Sequence, residues 1–283
     1  MAPPCPTTHK LLDRIEDLRV FPEVGARVLA VAHSPRTTLS DMERAVSADP
    51  VLAGKVVELS NSALYLRGRP HDELRRAIQV LGFAATRDTA LALALASIGD
   101  PADASTAYLW RHATAAARVA QALAPFVPVA VARSAHLCAL VHDIGRQLMA
   151  VVHPGALDEV LEAEWAGHPD VLGLERQRFG VDHAALGAAC LDRWSFRPEV
   201  ARAVALHHLP VGSIVEADDR QRVALLQLAD AVVRGMLTSD RVEGVMLAAA
   251  SEPARRVLGV PKVELARVVT QLLADEDEAR AAA

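Results

Sequence analysis

Cysteine is almost missing from this sequence, with only Cys5, Cys138 and Cys190 among 283 residues. Three widely spaced thiols, odd in number, support neither a disulfide framework nor a cysteine zinc site, and a reducing, cytoplasmic setting is the expectation. Aromatic residues make up 4% of the chain, which leaves no stacking platform for nucleic acid. Charge of one sign is not in marked excess: 30 basic side chains against 35 acidic ones give a net charge of −5. No global pull towards nucleic acid or an anionic membrane follows. Long hydrophobic runs are lacking too. The stretch most worth testing, ALALALASI (90–98), falls far short of the roughly eighteen residues a membrane span requires. The N-terminal MAPPCPTTHK has neither the basic nor the apolar part of a secretory signal. Glycine-rich phosphate loops, a GxSxG elbow and an HExxH motif are absent as well.

What is present is apolar bulk. Ala, Leu and Val dominate the 52% hydrophobic fraction, the composition of helix-on-helix packing, and the predicted fold class is all-α. Pro22 opens a helix with Val24, Val28 and Ala32 on one face. Thr38 or Ser40 caps the next, Ser40 and Glu43 having capping-box spacing. Asp49-Pro50 starts a third, with Leu52, Val56 and Leu59 sharing a face and Ser60-Asn61-Ser62 at its end. After a loop at 67–70, helices are expected over 73–81, stopped by Gly82, and over 84–98. Gly99-Asp100-Pro101-Ala102-Asp103 is the candidate boundary. Beyond it the pattern predicts helices near 105–124, 130–150, 155–165, 170–178, 183–195, 198–208, 217–236, 240–257 and 261–274. The organisation expected is a flexible segment (1–17), then a domain (18–240) in which an N-terminal helical sub-bundle (18–100) packs against a second (104–240). A helical extension (241–274) and a solvated acidic and alanine-rich tail (275–283) close the chain.

Histidine and aspartate accumulate in the second half, inside otherwise apolar helices: His112, His142-Asp143, His183, His207-His208 and Asp230. Buried charge is costly unless paired or bound to metal, and imidazole with carboxylate suits Fe, Mn or Zn. Each residue also has a plain alternative. His112 fits a helix surface, His183 a first turn, and His207-His208 a helix C-terminus, where histidine complements the dipole. Asp230 fits a cap, or a pairing with Arg222 or Arg234. The spacings, 142 − 112 = 30 and 230 − 143 = 87 residues, complete no short motif, so the signal lies in the ordered set.

That order resembles the HD phosphohydrolase superfamily, in which the first His, the His-Asp pair and a late Asp hold a metal in a helical bundle. The Lys that the cyclic-dinucleotide branch has after His-Asp-Ile-Gly is Arg146 here, and no Gly-Tyr-Pro follows. In the first half, LRVFPEVGARVLAVAHSP (18–35), SADPVLAGKVVELSNSALY (47–65) and AIQVLGFAATRDTALALAL (77–95) resemble the HDOD family, the HD-related output domain of bacterial signalling. LWRHATAAA (109–117), LVHDIGRQL (140–148), FGVDHAALGAACLDRW (179–194) and ALHHLP (205–210) follow in that family's order. The resemblance implies a multi-helix HD-like bundle and a stand-alone regulatory module, leaning away from catalysis, with a signalling protein or a small nucleotide as partner. It also implies that His112, His142, Asp143 and Asp230 form one metal site, which His183, His207 and His208 extend to a second metal sharing Asp143. The alternative it carries is a metal-dependent phosphohydrolase acting on a nucleotide or other phosphate ester, with Asp143 as the catalytic residue.

Overall fold

The computed structural model describes residues 13, 25, 27, 28, 30, 31, 34, 36–61, 65, 66, 68–96, 103–153, 155–238, 242–249 and 253–282. The helices in chain order are α1 (Leu39–Ser47), α2 (Pro50–Ser60), α3 (Leu74–Leu81), α4 (Phe83–Ala96), α5 (Ala104–Leu123), α6 (Val129–Val141) and α7 (Ile144–Val152). They continue as α8 (Ala156–Trp165), α9 (Val171–Phe179), α10 (His183–Arg193), α11 (Pro198–Leu206), α12 (Ala217–Thr238), α13 (Val242–Ala249), α14 (Pro253–Leu258) and α15 (Lys262–Ala282). Among the described residues there is no strand; the fold is all-α.

Local signals account for many of these boundaries. The Asp49 side chain accepts hydrogen bonds from the amides of Val51 and Leu52, and Pro50 sits at the first helical position. Leu52, Val56 and Leu59 are buried together on α2. The cap of α1 is Thr38, which forms its box with Asp41, not Ser40 with Glu43. Asn61, at the end of α2, pins the following loop: its side chain donates to the His71 carbonyl at 2.6 Å and accepts from the His71 amide at 3.0 Å. Val28 is helical and buried, but Pro22, Val24, Ala32, Ser62, Arg67, 99–102 and nearly all of 1–17 lie outside the described residues.

Several boundaries differ from expectation. The helix expected over 130–150 breaks at His142-Asp143 into α6 and α7. No proline marks that break; α7 takes its own course against α10, where a Cβ on Gly145 would lie 2.1 Å from the His183 carbonyl oxygen. Within the helix expected over 240–257, α13 covers Val242–Ala249 and α14 begins at Pro253; residues 250–252 lie outside the described residues. The one expected over 198–208 stops at Leu206, before the paired histidines. The tail expected over 275–283 continues α15 to Ala282.

Two compact units divide the chain: residues 1–110 with 144–198, and residues 111–143 with 199–283. Along the sequence these two units interleave. In the first unit α7 and α10 pack closely, and α1 to α4 pack on one another. Its buried charges are paired. Asp88, fully buried, accepts from Arg87 and Arg197, both at 2.6 Å. Glu175, also fully buried, accepts from the His183 amide at 2.8 Å, from His183 Nδ1 at 2.6 Å and from Arg146 Nε at 3.0 Å. In the second unit α12 is the central element, packed on α6, α13 and α14. There Asp219 accepts from Arg202 at 2.8 Å and Arg222 at 3.0 Å, and Arg222 reaches Ser134 on α6 at 3.2 Å.

The first unit generates three stability predictions. Gly145→Ala will destabilise the fold by roughly 1–3 kcal/mol through overpacking. Gly54→Ala, in an open position on α2, will be neutral or stabilising by about 0.5–1 kcal/mol. Denaturant midpoints of the two variants check both signs. Burial pushes the Glu175 carboxyl up, but the hydrogen bond from His183, its charge and that of Arg146 outweigh it and bring the group from 4.5 down to about 2. Its contribution is therefore complete above pH 4.5 and lost as the pH falls towards 2. Glu175→Ala will cost about 3–5 kcal/mol at neutral pH, as expected for breaking a buried pair, and will flatten the acid limb of a stability-versus-pH curve.

Candidate metal centre

The second unit holds six of the seven expected ligands, four of them in a first group. His112 comes from α5, His142 and Asp143 from the turn between α6 and α7, and Asp230 from α12. Nε2 of His112 lies 3.3 Å from Nε2 of His142 and 3.2 Å from Oδ1 of Asp230. Oδ2 of Asp143 is 3.4 Å from the His142 nitrogen and 3.8 Å from that of His112. The other oxygen of Asp143, Oδ1, lies 3.7 Å from Nε2 of His207. Ligand atoms of His112, His142 and Asp230 all fall within 4.8 Å of one another, as do those of Asp143, His207 and His208. Asp143 thus turns one oxygen to each group.

Helix ends set the orientation of two of these rings. His142 follows the last residue of α6 and His207 the last of α11. Each folds back to donate Nδ1–H to the carbonyl three residues earlier, Ala139 and Val204, both at 2.7 Å. A carbonyl only accepts, so each neutral ring carries its proton on Nδ1 and directs the Nε2 lone pair away from its helix. Terminal-turn carbonyls without helical partners thereby select the tautomer that binds metal, the outer-shell role usual for a ligating histidine.

Protonation states agree with ligation. Burial is the largest influence on His142 and pushes its imidazole below the ordinary value, against the opposing effect of Asp143; the neutral ring is the ligating form. Burial would push Asp230 up, but the hydrogen bond from His112 and the charge of Arg234 prevail and hold its carboxyl well below the usual range. Arg234 contacts Oδ2 of Asp230 at 2.6 Å, while Arg222 is engaged with Asp219 instead. Two imidazoles and two carboxylates, buried apart from the half-buried Asp230, make a nitrogen and oxygen donor set that fits Fe, Mn or Zn. His208 is exposed, so the Asp143–His207–His208 group reaches solvent.

The remaining expected ligand, His183, begins α10 in the first unit, where Asp182 caps the helix and Glu175 holds the ring. His112, read as a plausible surface residue, is 5% exposed. Sequence reading did not single out Glu175, the partner of both His183 and Arg146. A glutamate in VLGLERQRF, followed directly by Arg176, has no spacing relation to either, and nothing in the sequence marks it out.

The HDOD domain, as a family model, matches residues 18–210, which is most of the chain. The chain belongs to the HDOD family. A candidate signal transduction protein from Marinobacter aquaeolei VT8 is 25% identical, with a TM-score of 0.64 over 97% of this chain and 64% of that one. An HDOD domain protein of unknown function from Geobacter sulfurreducens is 22% identical, with a TM-score of 0.60 over 95% and 98% of the two chains. A candidate phosphohydrolase from Shewanella amazonensis SB2B shares the fold at 21% identity, with a TM-score of 0.59 over 93% and 97%. An uncharacterized protein of Treponema pallidum (strain Nichols) is 23% identical over 199 residues, 70% of this chain and 39% of that protein. The HDOD chain described here therefore spans well under half of the Treponema relative and about two thirds of the Marinobacter one. Among its described residues, no helix is long and apolar enough to cross a membrane.

Purified without chelator, the protein will contain near-stoichiometric divalent metal by elemental analysis. His142→Ala and Asp143→Ala will each lose it with helical content unchanged; wild-type protein without metal would contradict the site.

Proposed function

We propose that this HDOD chain is a cytoplasmic bacterial signalling module whose HD-type pocket holds a divalent metal and whose output is binding to a partner protein, not turnover. The observation that supports this reading best is at Arg146. It stands where the cyclic-dinucleotide branch of the superfamily has Lys, yet its guanidinium is 5% exposed and occupied by Glu175 at 3.0 Å and Glu164 at 2.9 Å. A cation recruited to a phosphate must reach it, and this one is committed to two carboxylates of its own unit. The description of the Marinobacter relative as a candidate signal transduction protein supports the same reading.

A second reading, metal-dependent hydrolysis of a nucleotide or other phosphate ester, is favoured by the placement of Asp143 between the two ligand groups and by the exposure of His208. A divalent ion held there would supply Lewis-acid polarisation of a phosphoryl group. The chain's own contribution would be Asp143, which orients with both oxygens, and the Nε2 lone pairs of His142 and His207.

The two readings separate in one assay. Wild type and Asp143→Ala, loaded with Mn, Fe or Zn, are tested against p-nitrophenyl phosphate, nucleoside phosphates and cyclic dinucleotides. The regulatory reading expects no turnover above the variant on any of them. Turnover by the wild type that falls at least about 100-fold in Asp143→Ala, the scale of a lost catalytic group, would replace it with hydrolysis.

A further inference from the structure

The segment that carries His207 and His208 is not held by helix geometry. α11 stops at Leu206, the chain turns through His207, His208 and Leu209, and Pro210 bars any return to the helix. Within the segment, the Leu209 amide reaches the Leu206 carbonyl at 2.9 Å, and the His207 ring reaches Val204. The carbonyls of His207 and Leu209 are met from outside. Nε2 of Gln227, on α12, donates to the His207 oxygen at 2.8 Å and to the Leu209 oxygen at 2.7 Å. A side-chain amide has two N–H donors, and this one uses both on a three-residue stretch.

Gln227 stands three residues before Asp230 on the same helix, so the two share a face of α12. One helix therefore supplies Asp230 to the first ligand group and, one turn earlier, fixes the backbone that presents the second. In VALLQLADAVV (223–233), Gln227 and Asp230 are the polar residues of an otherwise apolar run, and the structure gives each a partner in the centre. We propose that Gln227 is a positioning residue for the His207–His208 side of the metal centre and sets that group's affinity independently of the His112–His142–Asp230 group. The inference rests on the metal-binding reading given above and deepens it.

The test uses the full chain after chelator treatment, titrated with Zn²⁺ or Co²⁺ alone and followed calorimetrically and by the Co²⁺ absorption spectrum. His112→Ala and His207→Ala assign the two classes of site. Gln227→Glu keeps the shape but sets a carboxylate against two carbonyls, and Gln227→Leu removes both donors. Both variants should weaken the His207-dependent class by about 10- to 100-fold, the usual effect of losing an outer-shell partner. The His112-dependent class should move less than about threefold, with melting temperature and helical content near wild type. Equal weakening of both classes, or no change in either, overturns the proposal. If the wild type takes up no metal, the metal-binding reading fails by itself. Amide exchange in metal-free protein then decides the positioning role: faster exchange confined to 207–209 in the Gln227 variants sustains it, and unchanged exchange rejects it.

Discussion

The structure depends most on what happens between two imidazole nitrogens. Nε2 of His112 and Nε2 of His142 stand 3.3 Å apart, with oxygens of Asp230 and Asp143 at 3.2 and 3.4 Å. Lone pairs and carboxylates gathered this closely out of water repel one another unless a proton or a cation lies among them. Contacts around the cluster act on the protonation of its members. The Nδ1 proton of His142 is committed to Ala139, burial pushes that imidazole below its ordinary value, and Arg234 pairs with Asp230 from the outer side. Nε2 of His142 is thereby left facing His112 and Asp143, while the inward oxygen of Asp230 accepts from His112.

The same device is used at both ligand-bearing helix ends. A helix leaves carbonyls without partners in its last turn, and a histidine placed one residue beyond the end can use one of them as an orienting acceptor. α6 with His142 and α11 with His207 both do so. Ligand orientation is thereby a by-product of helix termination, and the positions of the breaks matter more than the intrinsic propensity of the residues around them.

The first unit spends its buried charges differently. Asp88 is neutralised by Arg87 and Arg197, and Glu175 by His183 and Arg146. Breaking such pairs is costly, whereas keeping them adds little net stability, so their value lies in specifying one arrangement of helices. Arg146 illustrates the consequence for function. A residue that directly follows the His-Asp-Ile-Gly run could serve phosphate chemistry, but here it is a structural cation joining three helices through Glu164 and Glu175. An HDOD chain built this way gathers the histidines and aspartates of the candidate centre in one unit while tying up the positive charge of Arg146 in the other.

The sequence by itself determined the helical class, the capped start of α2 at Asp49-Pro50, the family, and the order of the candidate ligands, because composition, local capping and motif order are properties of neighbouring residues. It also placed Asp143 and Asp230 in apolar surroundings that demand partners. The tertiary structure alone decided that the helix expected over 130–150 breaks at His142-Asp143, since no proline marks that point, and that Gly145 packs closely against His183 just beyond it. It decided that the units interleave, that Asp230 pairs with Arg234 and not Arg222, that Glu175 holds both His183 and Arg146, and that Gln227 meets the backbone beside His207. Each of these joins residues separated by a helical turn or by many residues along the chain. Among chemically equivalent partners, only the packing of helices selects which pair meets.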